Sequence, residues 1–434
     1  MKKELISNWG NYPTIKAEVF EPAFVQEVNG LVKKEQAILA RGNGRCYGDV
    51  ALSKKIISTL SLNKVISFAT DSGIINCQAG ILLSDILEIT VPKGFFLPVT
   101  PGTKFITLGG ALASDVHGKN HHAEGCFSNH VLDFKLVTAD GRTLVCSRTR
   151  NIEIFWDTVG GMGRTGVITE VCFQLKKIET SYIASRNIKV KNLDEMLDLF
   201  DQSGDTTYSV AWMDCLKKGT HQGRGILMLG EHATLAELDI KKKKNPLALP
   251  KKIKLNVPLF FPGWVLNKLA VKAFNFLFYN KQRKKISRSI IDYDKFFYPL
   301  DAILNWNRIY GKKGFTQYQF VLPKEGGKEG LKEILDTIGN AGEGSFLVVL
   351  KLFGKTEPLA KWSFPMEGYT LALDFKITPD TQALINRLDD IVDRYKGRIY
   401  LSKDAFSRRS LSNVPEQVST KFISLQAERL GLSC

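Results

Sequence analysis

The sequence has no C-x-x-C pair. Its seven cysteines (Cys46, Cys77, Cys126, Cys146, Cys172, Cys215 and Cys434) are scattered and odd in number. That usage fits a reducing compartment and excludes a disulfide framework. The first residues, MKKELISNWGNYP, include two lysines but no apolar stretch behind them, so no signal peptide is expected. There is no H-E-x-x-H motif and no repeat at the period of a solenoid. Acidic residues are missing altogether from Lys241 to Ile291, a stretch with 14 lysines and arginines.

What is present is the composition of a packed globule. The 434 residues are 44% apolar and 24% charged, which fits two or three domains and excludes a disordered or collagen-like chain. The net charge is +16, yet outside the basic stretch 46 bases face 44 acids. The excess belongs to one segment. A nucleic-acid binder spreads its basic face over the fold, so no nucleic-acid partner is expected.

The first 180 residues or so read as alternating strand and helix. Ala37–Ala40 is a short apolar strand before the loop RGNGRCYGD (Arg41–Asp49), and Gly73–Ala79 is a strand running into a helix at Leu82–Ile89. Val131–Thr138 and Thr143–Ser147 flank Asp140-Gly141, a hairpin signal. The second half reads strand Phe315–Leu322, helix Gly330–Ile338, strands Phe346–Phe353 and Tyr369–Ile377, helix Thr381–Tyr395 and strand Arg398–Leu401. This βαββαβ order predicts an antiparallel sheet with helices on one face.

Two glycine-rich stretches hold the chemistry. RGNGRCYGD lets backbone N–H groups approach a ligand without Cβ obstruction, as in phosphate-binding loops, although alone it also suits an ordinary tight turn. PGTKFITLGGALASDVHGKNHH (Pro101–His122) mixes small and apolar residues, as suits a backbone wrapped around a large flat ligand or a close helix–sheet crossing. Gly161–Gly166 spells G-x-G-x-x-G, but a helical approach precedes it and a strand, Val167–Leu175, follows. A dinucleotide turn needs the reverse order. His117, His121, His122 and His130 lie close in sequence with Asp115 and Cys126 nearby, but their spacing matches no zinc motif, and no metal is expected.

Those stretches resemble the vanillyl-alcohol-oxidase/PCMH FAD-binding superfamily and, within it, the decaprenylphosphoryl-β-D-ribose 2-oxidase family. The family patterns R-G-x-G-R-S-Y-G-D, P-G-T…G-G-A-x-A-x-D-x-H-G-K-N-H-H and T-V-G-G-x-G-x-T-G align with Arg41–Asp49, Pro101–His122 and Thr158–Gly166. Weaker matches continue through WNRIYG (306–311), QYQFVLP (317–323), LKLFG (350–354) and LSKD (401–404). The resemblance implies an α+β, two-domain fold. An FAD-binding domain spans 1–181 and a substrate domain on an antiparallel sheet spans 182–397, with an insertion at about 241–291. A C-terminal segment, 398–434, returns to the FAD domain.

It also implies site residues. Arg41, Gly42, Asn43, Gly44, Arg45, Cys46, Tyr47 and Gly48 would hold FAD, with Gly102, Thr107, Gly109, Gly110, Ser114, His117 and Gly118 from the second stretch. Ile168, Tyr400 and Lys403 complete that set, and Lys119, Gln319, Lys351 and Ala372 would face substrate. Lys403, His117 and Tyr47 are the implied catalytic groups. Oxidising a secondary alcohol passes a hydride to flavin N5, and a cation fixed near N1 and the C2 carbonyl stabilises the charge that develops. Lys403 is the candidate. Lys351 lies in the apolar run LVVLKLFG, and alternation along one strand leaves its direction open. Two departures stand out: Cys46 replaces the family serine, and Ala372 replaces the cysteine of mycobacterial members. Arg45 stands where many superfamily members carry the histidine that bonds flavin, so FAD is expected to be non-covalent.

The basic segment surrounds an apolar stretch, Pro258–Asn280, interrupted by Lys268 and Lys272. It suits a helix lying in the interface of an anionic bilayer, or a buried helix beside a basic loop. The implied function is FAD-dependent oxidation of the 2-hydroxyl of a polyprenylphosphoryl-β-D-ribose. An NAD(P)H-dependent keto-reductase would be the partner, on the cytoplasmic face of the inner membrane. The alternatives are an aldonolactone or other sugar oxidase, whose frequent His-Trp-x-Lys motif is missing here, and a non-catalytic lipid-binding flavoprotein.

Overall fold

The computed structural model describes residues 2–250, 255–342, 344–408 and 420–432. The KKIK run of the basic segment, 251–254, lies outside the described residues.

The N-terminal domain holds two sheets. Lys2–Ser7 (β1), Thr14–Phe20 (β2), Leu39–Arg41 (β3) and Lys55–Ser58 (β4) form one, in the order β1-β2-β4-β3. The β2–β4 and β4–β3 pairs are parallel, and the helix Val25–Lys34 (α1), buried through Val28 and Val32, connects β2 to β3. The other sheet is antiparallel: Val65–Ala69 (β5), Ile74–Gln78 (β6), Val131–Val137 (β7), Thr143–Ser147 (β8) and Val167–Gln174 (β9), in the order β5-β6-β9-β7-β8. Gly141 makes the β7–β8 turn at φ +75°, a conformation glycine adopts without strain. Leu83–Thr90 (α2) and Leu108–Ala113 (α3) pack onto this sheet. Ile152–Thr158 (α4) precedes the G-x-G-x-x-G loop and β9 follows it, so that loop is not a dinucleotide turn.

The second domain is one antiparallel sheet of eight strands. Tyr182–Val190 (β10), Tyr208–Met213 (β11), Gly225–His232 (β12), Ile286–Asp292 (β13), Phe315–Pro323 (β14), Val348–Phe353 (β15), Gly368–Lys376 (β16) and Arg398–Ile399 (β17) lie in the order β13-β10-β12-β11-β15-β16-β14-β17. Leu193–Gln202 (α5), Gly327–Ala341 (α7) and Thr381–Arg394 (α8) cover one face. Strand alternation explains the division. Tyr318, Phe320 and Leu322 of β14, Val348 and Leu350 of β15, and Leu371 and Leu373 of β16 face those helices. The residues between them line a cavity on the other side, which Lys268–Lys281 (α6) walls in part.

Two sequence expectations need correction. The βαββαβ reading covers only the later strands; four more, between 182 and 292, build the other half of the sheet. The insertion expected at about 241–291 also ends sooner, because β13 pairs with β10 from Ile286 to Asp292. Its Arg288 belongs to an edge strand, where charge discourages further pairing.

The C-terminal segment leaves the sheet at Ile399 and reaches the N-terminal domain. Phe422 enters the core of Val28, Val32 and Ile57, and Leu425 N donates to Leu52 O at 2.8 Å. Arg429 bridges Asp49, through Nε at 2.8 Å and Nη2 at 2.9 Å, and Asp404, through Nη2 at 2.7 Å. Both aspartates are buried. Arg429→Met would leave two unpaired buried carboxylates, which costs about 3–5 kcal/mol. The check is the urea midpoint; a variant as stable as wild type would remove Arg429 from the scaffold.

Candidate active site

A cavity of about 880 Å³ lies between the two domains. Both glycine-rich loops, β9, the inner face of the large sheet and the Tyr400–Lys403 turn line it. Of the residues implied for FAD, substrate and catalysis, all but Gly48 and Gly118 reach its wall. A Cβ on Gly48 would fall 1.8 Å from Asp404 O, and one on Gly118 would fall 2.4 Å from Asn120 Oδ1. Those glycines are therefore required for close packing within the protein, and they do not line the cavity.

The two loops support each other. Asn43 Nδ2 donates to Phe105 O at 2.7 Å, and Gly42 sits where a Cβ would meet Thr107 Oγ1 at 2.2 Å. Thr107 in turn caps α3 by accepting from Gly110 N. Gly44 turns the first loop at φ +59°. Arg41 reaches the cavity but commits its guanidinium to Ser7 O at 2.7 Å, Ala51 O at 3.0 Å and Asn8, so its side chain braces the loop. Arg45 lies 4.0 Å over the Trp9 ring. The Cys46 thiol, pushed up by burial, is no ready nucleophile.

His117 is buried among Phe353, Phe364 and Tyr400. Its tautomer follows from its neighbours. Thr370 Oγ1 donates to Phe320 O at 2.7 Å, so it accepts from Gln319 Nε2 at 3.2 Å. The same amide nitrogen donates to His117 Nε2 at 2.9 Å. The ring proton then sits on Nδ1, which is buried without a partner among the described residues. Desolvation, aided by Lys351, lowers the His117 pKa and keeps the ring neutral.

Three lysines share this cavity. Desolvation lowers Lys119 to about 7, with Lys351 adding repulsion, and lowers Lys351 to about 8. Lys403 falls to about 7: desolvation leads, Asp374 opposes it and Lys351 reinforces it. Lys403 Nζ lies 4.0 Å from the Tyr47 ring centre, and Lys119 donates to Phe296 O over the Phe296 ring. Ala372 lies on the cavity face of β16 between Thr370 and Asp374.

The sequence reading misses several partners. Trp9 carries Arg45, Thr370 orients Gln319, and Asp374 accepts from Tyr310 at 2.9 Å and Gln317 at 2.6 Å. Burial pushes Asp374 up to about 6 against those bonds. Its signal was its place two residues beyond Ala372 on the same strand face. The clustered histidines serve the backbone: Gly354 N donates to His121 Nδ1, and His122 and His130 bond Thr206 O and Glu124 O. Asp115 accepts from Ser363 and Ser128.

The wall bears Arg41, Arg45, Lys119, Lys295, Lys351 and Lys403 against one acid, Asp301. With glycine-rich loops and an unpartnered His117 N–H, this donor set fits a large anionic group such as FAD. Its cost sets a prediction. Between pH 8 and about 10.4 the unfolded chain holds the Lys351 proton that the folded, substrate-free protein lacks. Stability therefore rises with pH in that window. Lys351→Met should flatten the rise by up to about 1.4 kcal/mol per pH unit in chemical denaturation. An unchanged slope would mean that Lys351 stays protonated.

Residues 18–147 match the FAD binding domain family. Over 378 residues the chain is 35% identical to decaprenylphosphoryl-β-D-ribose oxidase of Mycolicibacterium smegmatis, covering 85% of this chain and 81% of that protein. It is 30% identical to L-gulonolactone oxidase of Scyliorhinus torazame over 38% of this chain and 39% of that protein. Cytokinin dehydrogenase 2 of Arabidopsis thaliana is 28% identical over 37% of this chain and 34% of its own. The first likeness spans most of both chains, the other two under half. With the two-domain α+β fold and an anion-accepting cavity on its FAD side, the chain belongs to the decaprenylphosphoryl-β-D-ribose oxidase family and is an FAD-dependent sugar oxidoreductase.

Proposed function

We propose that the substrate is a polyprenylphosphoryl-β-D-ribose, whose 2-hydroxyl is oxidised to a ketone as the first half of a 2-epimerisation to the arabinose form. A separate NAD(P)H-dependent keto-reductase completes the change. The observation that carries this reading is the continuity of one cationic cavity from the glycine-rich loops to the inner sheet face. The name of the mycobacterial relative supports the substrate class. Bound FAD supplies the hydride acceptor. Lys119 and Lys351 hold the phosphate and sugar hydroxyls, and Gln319 holds His117 with its ring proton on Nδ1. Lys403, titrating near pH 7, takes the hydroxyl proton in its neutral form. Tyr47 carries Lys403 on its ring face.

FAD is held without a covalent bond, since Arg45 occupies the position of the bonding histidine. Acid precipitation should release yellow FAD into the supernatant, and polyprenylphosphoryl ribose should bleach the holoprotein. Lys403→Ala should still bind FAD but bleach more slowly, by about 10²–10⁴-fold, the range for loss of a general base. Colour retained in the pellet would refute non-covalent binding, and bleaching of the variant at the wild-type rate would take Lys403 out of the chemistry.

We also propose that the protein sits peripherally on the cytoplasmic face of an anionic membrane. No helix among the described residues is long and apolar enough to cross one. Helix α6 leaves Leu269, Phe276 and Leu277 exposed, although its buried face holds Asn275 as well as Val271. Lysines and arginines surround it without an acid. Each base near an anionic leaflet contributes about 1 kcal/mol. The holoprotein should sediment with anionic vesicles and much less with neutral ones. Glutamine at Lys241–Lys244, Lys281, Arg283, Lys284 and Lys285 should weaken that binding. Equal sedimentation of variant and wild type would refute the electrostatic part.

A further inference from the structure

The cavity-facing side of the large sheet changes character across the strand order. At one end, β14, β16 and β15 present Gln319, Thr370 and Lys351 beside the glycine-rich loops. Next to them, β11 and β12 present Val210, Trp212 and Met228. Over this second part lies α6, which closes the cavity with Val271, Phe274 and Phe278. Phe278 packs on Trp212 at 4.6 Å and Phe274 on Phe346 at 5.6 Å, ring centre to ring centre. One continuous space is thus cationic and hydrogen-bonding at one end and aromatic and aliphatic across β11 and β12, with Ser185 and Asn187 of β10 beyond them.

The helix over the apolar end is held by a polar clasp. Asn275 Nδ2 donates to Asp214 Oδ1 at 2.9 Å, and Arg224 Nη2 pairs with Asp214 Oδ2 at 2.9 Å. The Tyr279 ring lies 4.5 Å from the Arg224 guanidinium carbon. With this clasp in place, α6 does not need to fill the space beneath it with its own side chains. Its outward face is the exposed apolar one, so the wall of the apolar arm is also the proposed membrane-facing element.

We propose that the apolar arm between α6 and the β11–β12 face is the binding site for the isoprenoid chain of the substrate, with the phosphate held at the Lys119–Lys351 end. This rests on the lipid-phosphate reading above and adds where the chain lies. Ala270, on the cavity side of α6, offers a way to plug the arm without touching the cationic end.

The experiment uses the FAD-loaded protein and two probes without ribose, dimethylallyl phosphate and farnesyl phosphate, with binding measured by calorimetry. Each buried methylene favours binding, so wild type should bind the longer probe at least about tenfold more tightly. Ala270→Trp should remove most of that gain and leave dimethylallyl phosphate affinity unchanged. Met228→Trp fills the arm from the sheet side and serves if the first variant does not fold, which visible FAD absorbance reports. A gain that survives in the plugged variants, or no gain in wild type, overturns the chain site. Failure of both probes to bind wild type instead removes the lipid-phosphate reading on which it stands.

Discussion

Asp49 and Asp404 lie side by side in the interior only because Arg429 stands between them. Asp49 ends the first glycine-rich loop and Asp404 follows Lys403, so the bridge binds two parts of the site that are distant in sequence. The contacts around it are backbone contacts: Tyr47 N donates to Ser402 O at 3.1 Å, and Gly48 packs on the carbonyl of Asp404. Lys403 can then lie over Tyr47 at the junction of loop and sheet. Two carboxylates without the arginine would repel and be poorly solvated. The placement of a lysine on the cavity wall therefore depends on a residue near the far end of the chain.

The same site shows how local order and long-range assembly divide the task of reading a sequence. The glycine-rich loops are legible because their chemistry is in their residue order, and the α+β architecture follows from the alternating runs of the second half. Strands β10 to β13 are harder. Every residue of Tyr208–Met213 is buried, so β11 offers no alternation, and β12 is nearly as enclosed. The edge strand β13 has no fully buried residue, because it lies at an edge. A period of two appears only where one face meets solvent or a cavity and the other a core.

Lys351 illustrates the limit in a single residue. Its strand alternates, but alternation alone does not name the face that is buried. The register does: Lys351 stands opposite Thr370, and Val349 opposite Ala372, which in turn stands opposite Gln319. Residues directly opposite in an antiparallel pair share a face. Once Leu350, Leu371 and Phe320 are on the helix side, Lys351 has only the cavity. Gly48 and Gly118 show the converse. Their motif positions are legible, but the reason for glycine there is a neighbouring backbone or side chain that only the fold brings close.

The cationic cavity also places a condition on what can occupy it. Lys351 repels both Lys119 and Lys403, and desolvation lowers all three. In that state they are partly neutral near pH 8, which limits the repulsion but weakens their hold on an anion. An arriving phosphate reverses both effects: its charge favours the protonated lysines, so binding is coupled to proton uptake. A neutral sugar alone would supply no such compensation. The apolar face of β11 and β12 cannot supply it either, but it removes from water what a phosphate cannot. A ligand with an anionic head and an apolar tail satisfies both ends of the cavity at once. The strand order that separates the two kinds of wall is thus what the proposed amphiphilic substrate would exploit.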